Sequence, residues 1–227
     1  QFNGPVAQGG DANDFRGAVG TIYKPSASVR QHFGDVISGL PRDNESTHSD
    51  NESKKIKALF LASNPKGTTT LELDREIRGV TEKIRASEYR DSLDLISAWA
   101  VRPDDLLQLL NQHKPQIVHF SGHGSKAGEI ILVDSHGSPK PVNPAALRAL
   151  FETLKDNIRL VILNACYSKK QAEAITQVID CAIGMNDAIG DEAAITFAAS
   201  FYRAIGFGRS IKQAFDQGIV ALLLEGI

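Results

Sequence analysis

The sequence predicts an α/β fold, a three-layer sandwich with a mostly parallel central sheet and helices on both faces. Three observations predict it. Beyond position 54, short apolar runs alternate with amphipathic helical stretches in strand–helix order. The apolar runs are near-continuous, as strands covered on both faces must be. The chain has 227 residues, enough for one substantial core with an appendage.

The elements follow in order. IKALFLA (56–62) reads as the first strand, and the loop SNPKGTTT follows it. Leu73, Ile77, Val80 and Ile84 then form one helical stripe, and Thr69 and Glu72 have capping-box spacing before it. LDLISAWA (93–100) is a second strand, and residues 103–114 form a helix opened by Pro103. QIVHF (116–120) is a third strand. EIILVD (129–134) with the turn SHGSPK suggests a hairpin-like excursion. Residues 143–156 are helical, IRLVILN (158–164) is a fourth strand, 169–179 a helix and CAIGM (181–185) a fifth strand. Residues 191–206 and 210–226 close the domain as two helices.

The first 54 residues differ. Residues 1–25 form a Gly-rich leader, and 26–54 a short amphipathic helix followed by a polar linker. The organised domain is therefore expected over 55–227. The chain opens on Gln and ends on Ile227 after an apolar stretch, so it is expected to be a piece of a longer protein.

Composition excludes several classes. A formal net charge of −2 gives no bulk electrostatic reason to bind nucleic acid or an anionic membrane. The longest wholly apolar run, 219–224, is far short of the ~20 residues that span a bilayer. Two cysteines cannot frame a disulfide-dense secreted scaffold, so a reducing, cytoplasmic setting is expected. The loop SNPKGTTT lacks the spacing of a phosphate-binding loop, which argues against a nucleotide-binding domain. His119 and His123 are four apart, but that spacing converges on a helix, not on a strand and turn. No metal and no cofactor is expected.

Sites in parallel sheets gather at the carboxyl ends of strands. There the third strand gives Val118-His119-Phe120-Ser121-Gly122-His123-Gly124, and the fourth gives Leu163-Asn164-Ala165-Cys166-Tyr167-Ser168. A His and a Cys thus emerge at one edge, as a Cys/His dyad requires. His123 would serve as the acid–base group and Cys166 as the nucleophile. The N–H groups of Gly124 and Cys166 would form an oxyanion hole. His119 lies within the strand and reads as a packed core histidine.

VHFSGHG followed by VILNACYS resembles the caspase-like clan of cysteine proteases, and most of all the bacterial CHAT domains. ALFLASNP at the first strand and AIGMNDAIGDEAAITFAASFYRAIGFGRSI near the end agree with it. The resemblance covers about residues 55–227. It implies a caspase–hemoglobinase-like sandwich, a His123/Cys166 dyad and cleavage of a specific protein after a chosen P1 side chain. The P1 side chain would be gripped by the loops after the first, fourth and fifth strands, which hold Asn64 and Lys66, Asn164, and Met185, Asn186 and Asp187. It also implies a regulated effector of bacterial defence or cell death, switched on by a sensor or partner protein. The nucleophile motif departs from two subgroups. True caspases carry Gln-Ala-Cys-Arg-Gly where this chain has Asn164-Ala165-Cys166-Tyr167-Ser168. Metacaspases place Asp where Asn164 stands, to hold a basic P1. Asp187 or Asp191 would restore an acidic pocket, although Asp191 also suits a helix cap. The other reading is a caspase-like interaction module with little catalysis, docking through the leader or a sheet edge.

Overall fold

Alternation of apolar runs and amphipathic helices yields a sheet with one helical layer on each side. The fold comes from a computed structural model that describes residues 22–23 and 55–227. The expected amphipathic helix and polar linker of 26–54 lie outside the described residues, as does most of the leader.

The strands are β1 (Ile22–Tyr23), β2 (Ile56–Ser63), β3 (Leu93–Ala98), β4 (Ile117–Gly124), β5 (Ile130–Val133), β6 (Pro139–Val142), β7 (Leu160–Asn164) and β8 (Cys181–Gly184). The helices are α1 (Leu73–Arg85), α2 (Pro103–His113), α3 (Pro144–Leu154), α4 (Lys169–Ile175), α5 (Asp191–Gly206) and α6 (Ile211–Leu224). The spatial order is β1-β8-β7-β4-β2-β3. The pairs β2–β3, β2–β4, β4–β7 and β7–β8 are parallel. The two-residue β1 adds an antiparallel edge on β8, so the leader contributes a strand to the sheet.

β4 runs four residues beyond the predicted strand. Its last two, His123 and Gly124, leave β2 and β7 and pair antiparallel with Ile131 and Ile130 of β5. The residues expected to form a turn are therefore strand. Their polarity and two glycines hid it: Ser121 and Gly122 stay on β2, and only the last two residues take the hairpin as partner. The β5–β6 hairpin itself matches the predicted excursion.

Side chains alternate across each strand, and the two faces differ in content. One face carries Ile56, Ala58, Ile117, Leu160, Ile162 and Ile183 against α1, α5 and α6, with Phe197, Phe201 and Tyr202 at its centre. The other carries Leu59, Leu61, Val118, Phe120, Val161 and Leu163 against α2, α3 and α4. The caps fit the helix starts. Asn143 accepts from the Ala146 N–H before α3, and Ser210 pairs reciprocally with Gln213 before α6. The capping box expected of Thr69 and Glu72 does not form. α1 starts after Glu72, whose side chain makes no cap bond, while its backbone N–H donates to Asp191 Oδ2 at 3.1 Å.

Candidate active site

β4 and β7 lie side by side with Ser121 opposite Asn164. A period of two puts His119, Ser121 and His123 on one face of β4, the face toward α1 and α5. Two residues past Asn164 comes Cys166. His123 and Cys166 line the same cleft at this edge. Its walls are Leu71, Leu73, Ile189, Ala194 and Ile195, and its carboxylates are Glu72, Glu76 and Asp191.

The imidazole of His123 is held from outside the dyad. Its Nε2 lies 2.9 Å from the Thr69 carbonyl oxygen in the β2–α1 loop. A carbonyl only accepts, so Nε2 carries the proton, and in the neutral ring Nδ1 holds the free lone pair. The sequence shows no third catalytic side chain, which leaves a backbone carbonyl to orient the imidazole. Thr69 acts through its backbone, which leaves no side-chain signature.

Cys166 sits at the start of a tight turn. Its Sγ–H donates to the Ile189 carbonyl at 3.8 Å. Tyr167 follows at φ 55°, a left-handed conformation that costs a non-glycine residue on the order of 1 kcal/mol or more. Its N–H donates to the Asp187 carbonyl at 3.2 Å, and the Asp187 carboxylate lies near its hydroxyl. Desolvation first, then the charge of Asp187, raises the phenol pKa above its ordinary value, so the ring stays protonated. Ser168, fully buried, donates to Leu163 O at 2.9 Å and accepts from Met185 N–H at 2.8 Å. The nucleophile turn is thereby tied to β7 behind it and to the segment after β8.

Gly124 is a position of close approach. A Cβ there would stand 1.8 Å from the Cys166 carbonyl oxygen and 3.2 Å from its nitrogen. Only glycine lets the end of β4 lie against the backbone of Cys166.

The remaining sequence candidates divide. Asn164, 4% exposed, lines the cleft. Its Nδ2 donates to Glu76 Oε1 at 2.8 Å and to Ala194 O at 3.3 Å. Asn64 does not line the cleft. It closes its own loop through bonds with the Leu71 backbone. The Met185 side chain is fully buried in the core beneath α5 and α6, so it offers substrate no surface. The apolar residue after an apolar strand continues that strand's burial. Asn186 and Asp187 are not among the cleft residues, and Asp187 is engaged with Tyr167. Asp191 lines the cleft and holds the start of α1.

His119 is completely buried, stacked on Tyr202 and edge-on to Phe60, as expected of a core histidine. Its Nε2 lies 3.2 Å from Glu76 Oε1. Among the described residues no group of three His, Cys, Asp or Glu side chains is placed to hold a metal ion. No helix among them is long and apolar enough to cross a membrane.

The chain is similar to a "Roc-COR-CHAT protease" from an unknown prokaryotic organism, 28% identical over 198 residues. That alignment covers 84% of this chain and 18% of the relative. It is also similar to a "Probable protease" of Gillisia limnaea (strain DSM 15749 / LMG 21470 / R-8282), 26% identical over 168 residues, which is 72% of this chain and 30% of the relative. The chain thus spans less than a third of the length of these curated relatives. Residues 23–225 match the family model described as the CHAT domain, a span that takes in 24–54 as well as the sheet. With that match over most of its length, on a mostly parallel sheet between two helical layers, the chain belongs to the CHAT domain family of caspase-like proteins.

Proposed function

We propose that this chain is the catalytic domain of a cysteine endopeptidase that cuts a specific protein substrate with His123 and Cys166. The observation that carries the reading is that both residues line one cleft while the Thr69 carbonyl fixes the His123 tautomer. The protease names of two relatives support it.

The chemistry follows from that tautomer. Nδ1 takes the proton of Cys166, and the thiolate attacks the scissile carbonyl, forming an S–C bond. The oxyanion is held by the N–H groups of Cys166 and Gly124, each such donor worth about 10²–10³ in rate. The C–N bond breaks as Nδ1 returns its proton to the leaving amine. Water then hydrolyses the thioester, with Nδ1 taking its proton and passing it to the departing thiolate. Throughout, the Thr69 carbonyl keeps accepting from Nε2–H and stabilises the imidazolium.

The same domain is proposed to be held back until a sensor or partner acts, as a regulated effector of bacterial defence or cell death. The thiol bonds Ile189 O, and the Tyr167 N–H bonds Asp187 O, both on the segment after β8. That segment therefore restrains the nucleophile turn. Asp187→Ala removes the carboxylate beside the Tyr167 hydroxyl and is expected to raise basal peptide cleavage severalfold. A loss of activity would instead make Asp187 a substrate-binding residue. The protease reading is tested with a peptide bearing an electrophilic warhead. It is expected to label Cys166 in the wild-type chain and to leave His123→Ala nearly unlabelled. Equal labelling of the two would favour an interaction module without catalysis.

A further inference from the structure

Glu76 is a charged residue on the buried face of α1, with only 2% of its surface exposed. A carboxylate removed from water costs several kcal/mol unless donors surround it. Two groups from the sheet do so. Ser121 Oγ donates to its Oε2 at 2.5 Å, and Asn164 Nδ2 donates to its Oε1 at 2.8 Å. His119 Nε2 stands 3.2 Å from Oε1 but makes no hydrogen bond among the described residues.

The identity of those partners matters. Ser121 precedes His123 by two residues, and Asn164 precedes Cys166 by two. One carboxylate therefore grips the equivalent point on both strands that carry the dyad, just before each reactive side chain emerges. The helix bearing Glu76 begins four residues after Thr69, whose carbonyl holds His123 Nε2. Helix α1 consequently sets three things together: the end of β4, the end of β7 and the imidazole.

We propose that Glu76 is a positioning residue for the dyad, fixing the separation of His123 and Cys166 through Ser121 and Asn164. This rests on the protease reading above. A purely structural carboxylate would be replaceable by any change that costs equal stability. A positioning carboxylate would not, because misplacement by about 1 Å is enough to cost roughly 10²-fold in rate. Neutralising Glu76 as Gln keeps its size but turns one acceptor into a donor that faces either the Asn164 amide or the Ser121 hydroxyl.

The test uses the full chain, with peptide cleavage per titrated Cys166 and iodoacetamide alkylation of Cys166 as readouts. Val80→Ala is the control, a fully buried change on the same helix one turn further along. His123→Ala defines the response when the dyad is absent. Glu76→Gln is expected to lower kcat per titrated site by about 10²-fold, with a smaller change in KM. It should also slow alkylation toward the His123→Ala rate. Val80→Ala should lower the melting temperature but leave both readouts near wild type. Wild-type readouts in Glu76→Gln, or equal losses in Glu76→Gln and Val80→Ala, would overturn the inference while leaving the protease reading intact. Should His123→Ala alkylate as fast as wild type, the dyad reading fails and the inference with it.

Discussion

The two faces of β4 and β7 are built from the same strands but to different ends. On the side of α2, α3 and α4 the strands present Val118, Phe120, Val161, Leu163 and Ala165, every one buried and apolar. On the side of α1 and α5 the apolar row of Ile117, Leu160 and Ile162 gives way toward the strand ends to His119, Ser121, His123 and Asn164. The first face is stabilised by burial alone, worth about 25 cal/mol per Å² of apolar surface. The second gives up part of that burial and must satisfy each polar group. It does so only in part: Glu76 accepts from Ser121 and Asn164, the Thr69 carbonyl holds His123 and the Ala194 carbonyl accepts from Asn164, while both His119 ring nitrogens and Asn164 Oδ1 have no hydrogen-bond partner among the described residues. The chemistry of the domain thus occupies the half of one face where packing has been exchanged for hydrogen bonding.

Substitutions should respect that division. The largest expected effect is on the polar side. His123→Ala removes the acid–base group and should lower peptide cleavage by at least about 10³-fold, with little change in melting temperature because the side chain is partly exposed. Steady-state kinetics alongside a thermal scan decide it. A large fall in melting temperature would mean that the polar edge is structural.

On the apolar side the balance reverses. Phe120→Ala deletes a ring that is 2% exposed and should cost about 3–5 kcal/mol of stability. The activity of the molecules that remain folded should change little. Urea unfolding compared with active-site titration separates the two quantities.

Ser168 joins the strands behind the nucleophile, so its loss falls between the extremes. Ser168→Ala leaves the Leu163 carbonyl and the Met185 N–H without their partner and should cost about 1–3 kcal/mol. A measured cost near zero would show that the turn does not depend on this link.

The smallest effect concerns the two thiols. Burial, and then the charge of Asp180, pushes Cys181 up to about 12 from 9.0. The folded protein favours its neutral form. The stability it contributes is complete below pH 9 and is lost as pH rises toward 12. Replacing Cys181 with Ala should therefore flatten the alkaline limb of a stability–pH curve. At pH 8, iodoacetamide with peptide mapping should find Cys166 modified in the native chain and Cys181 unmodified.

Much of this was legible in the sequence because strand and helix periodicity record burial directly. The five main strands and six helices fall within a few residues of their predicted bounds. The exception is informative. The end of β4 reads as a turn because Gly122, His123 and Gly124 follow the apolar run, yet the β5 hairpin keeps it extended. At the cleft, His123, Cys166 and Asn164 could be found from side-chain type and spacing. The Thr69 carbonyl could not, since backbone groups are common to every residue. The burial of Glu76 was hidden because a charged residue beside Ile77 reads as the solvated side of a stripe. The signal that would have found it is its three-residue spacing from Leu73, which places it on the buried side. The left-handed turn at Tyr167 has no glycine or asparagine to announce it.

Digestion of a pooled peptide library by the wild-type chain and by Cys166→Ala, read by mass spectrometry, tests the account most directly. The wild type should cut after a restricted set of P1 residues, more strongly once Asp187→Ala has loosened the segment after β8, and every cut should vanish with Cys166→Ala. Cuts that persist in Cys166→Ala, or none from either the wild type or Asp187→Ala, would contradict it.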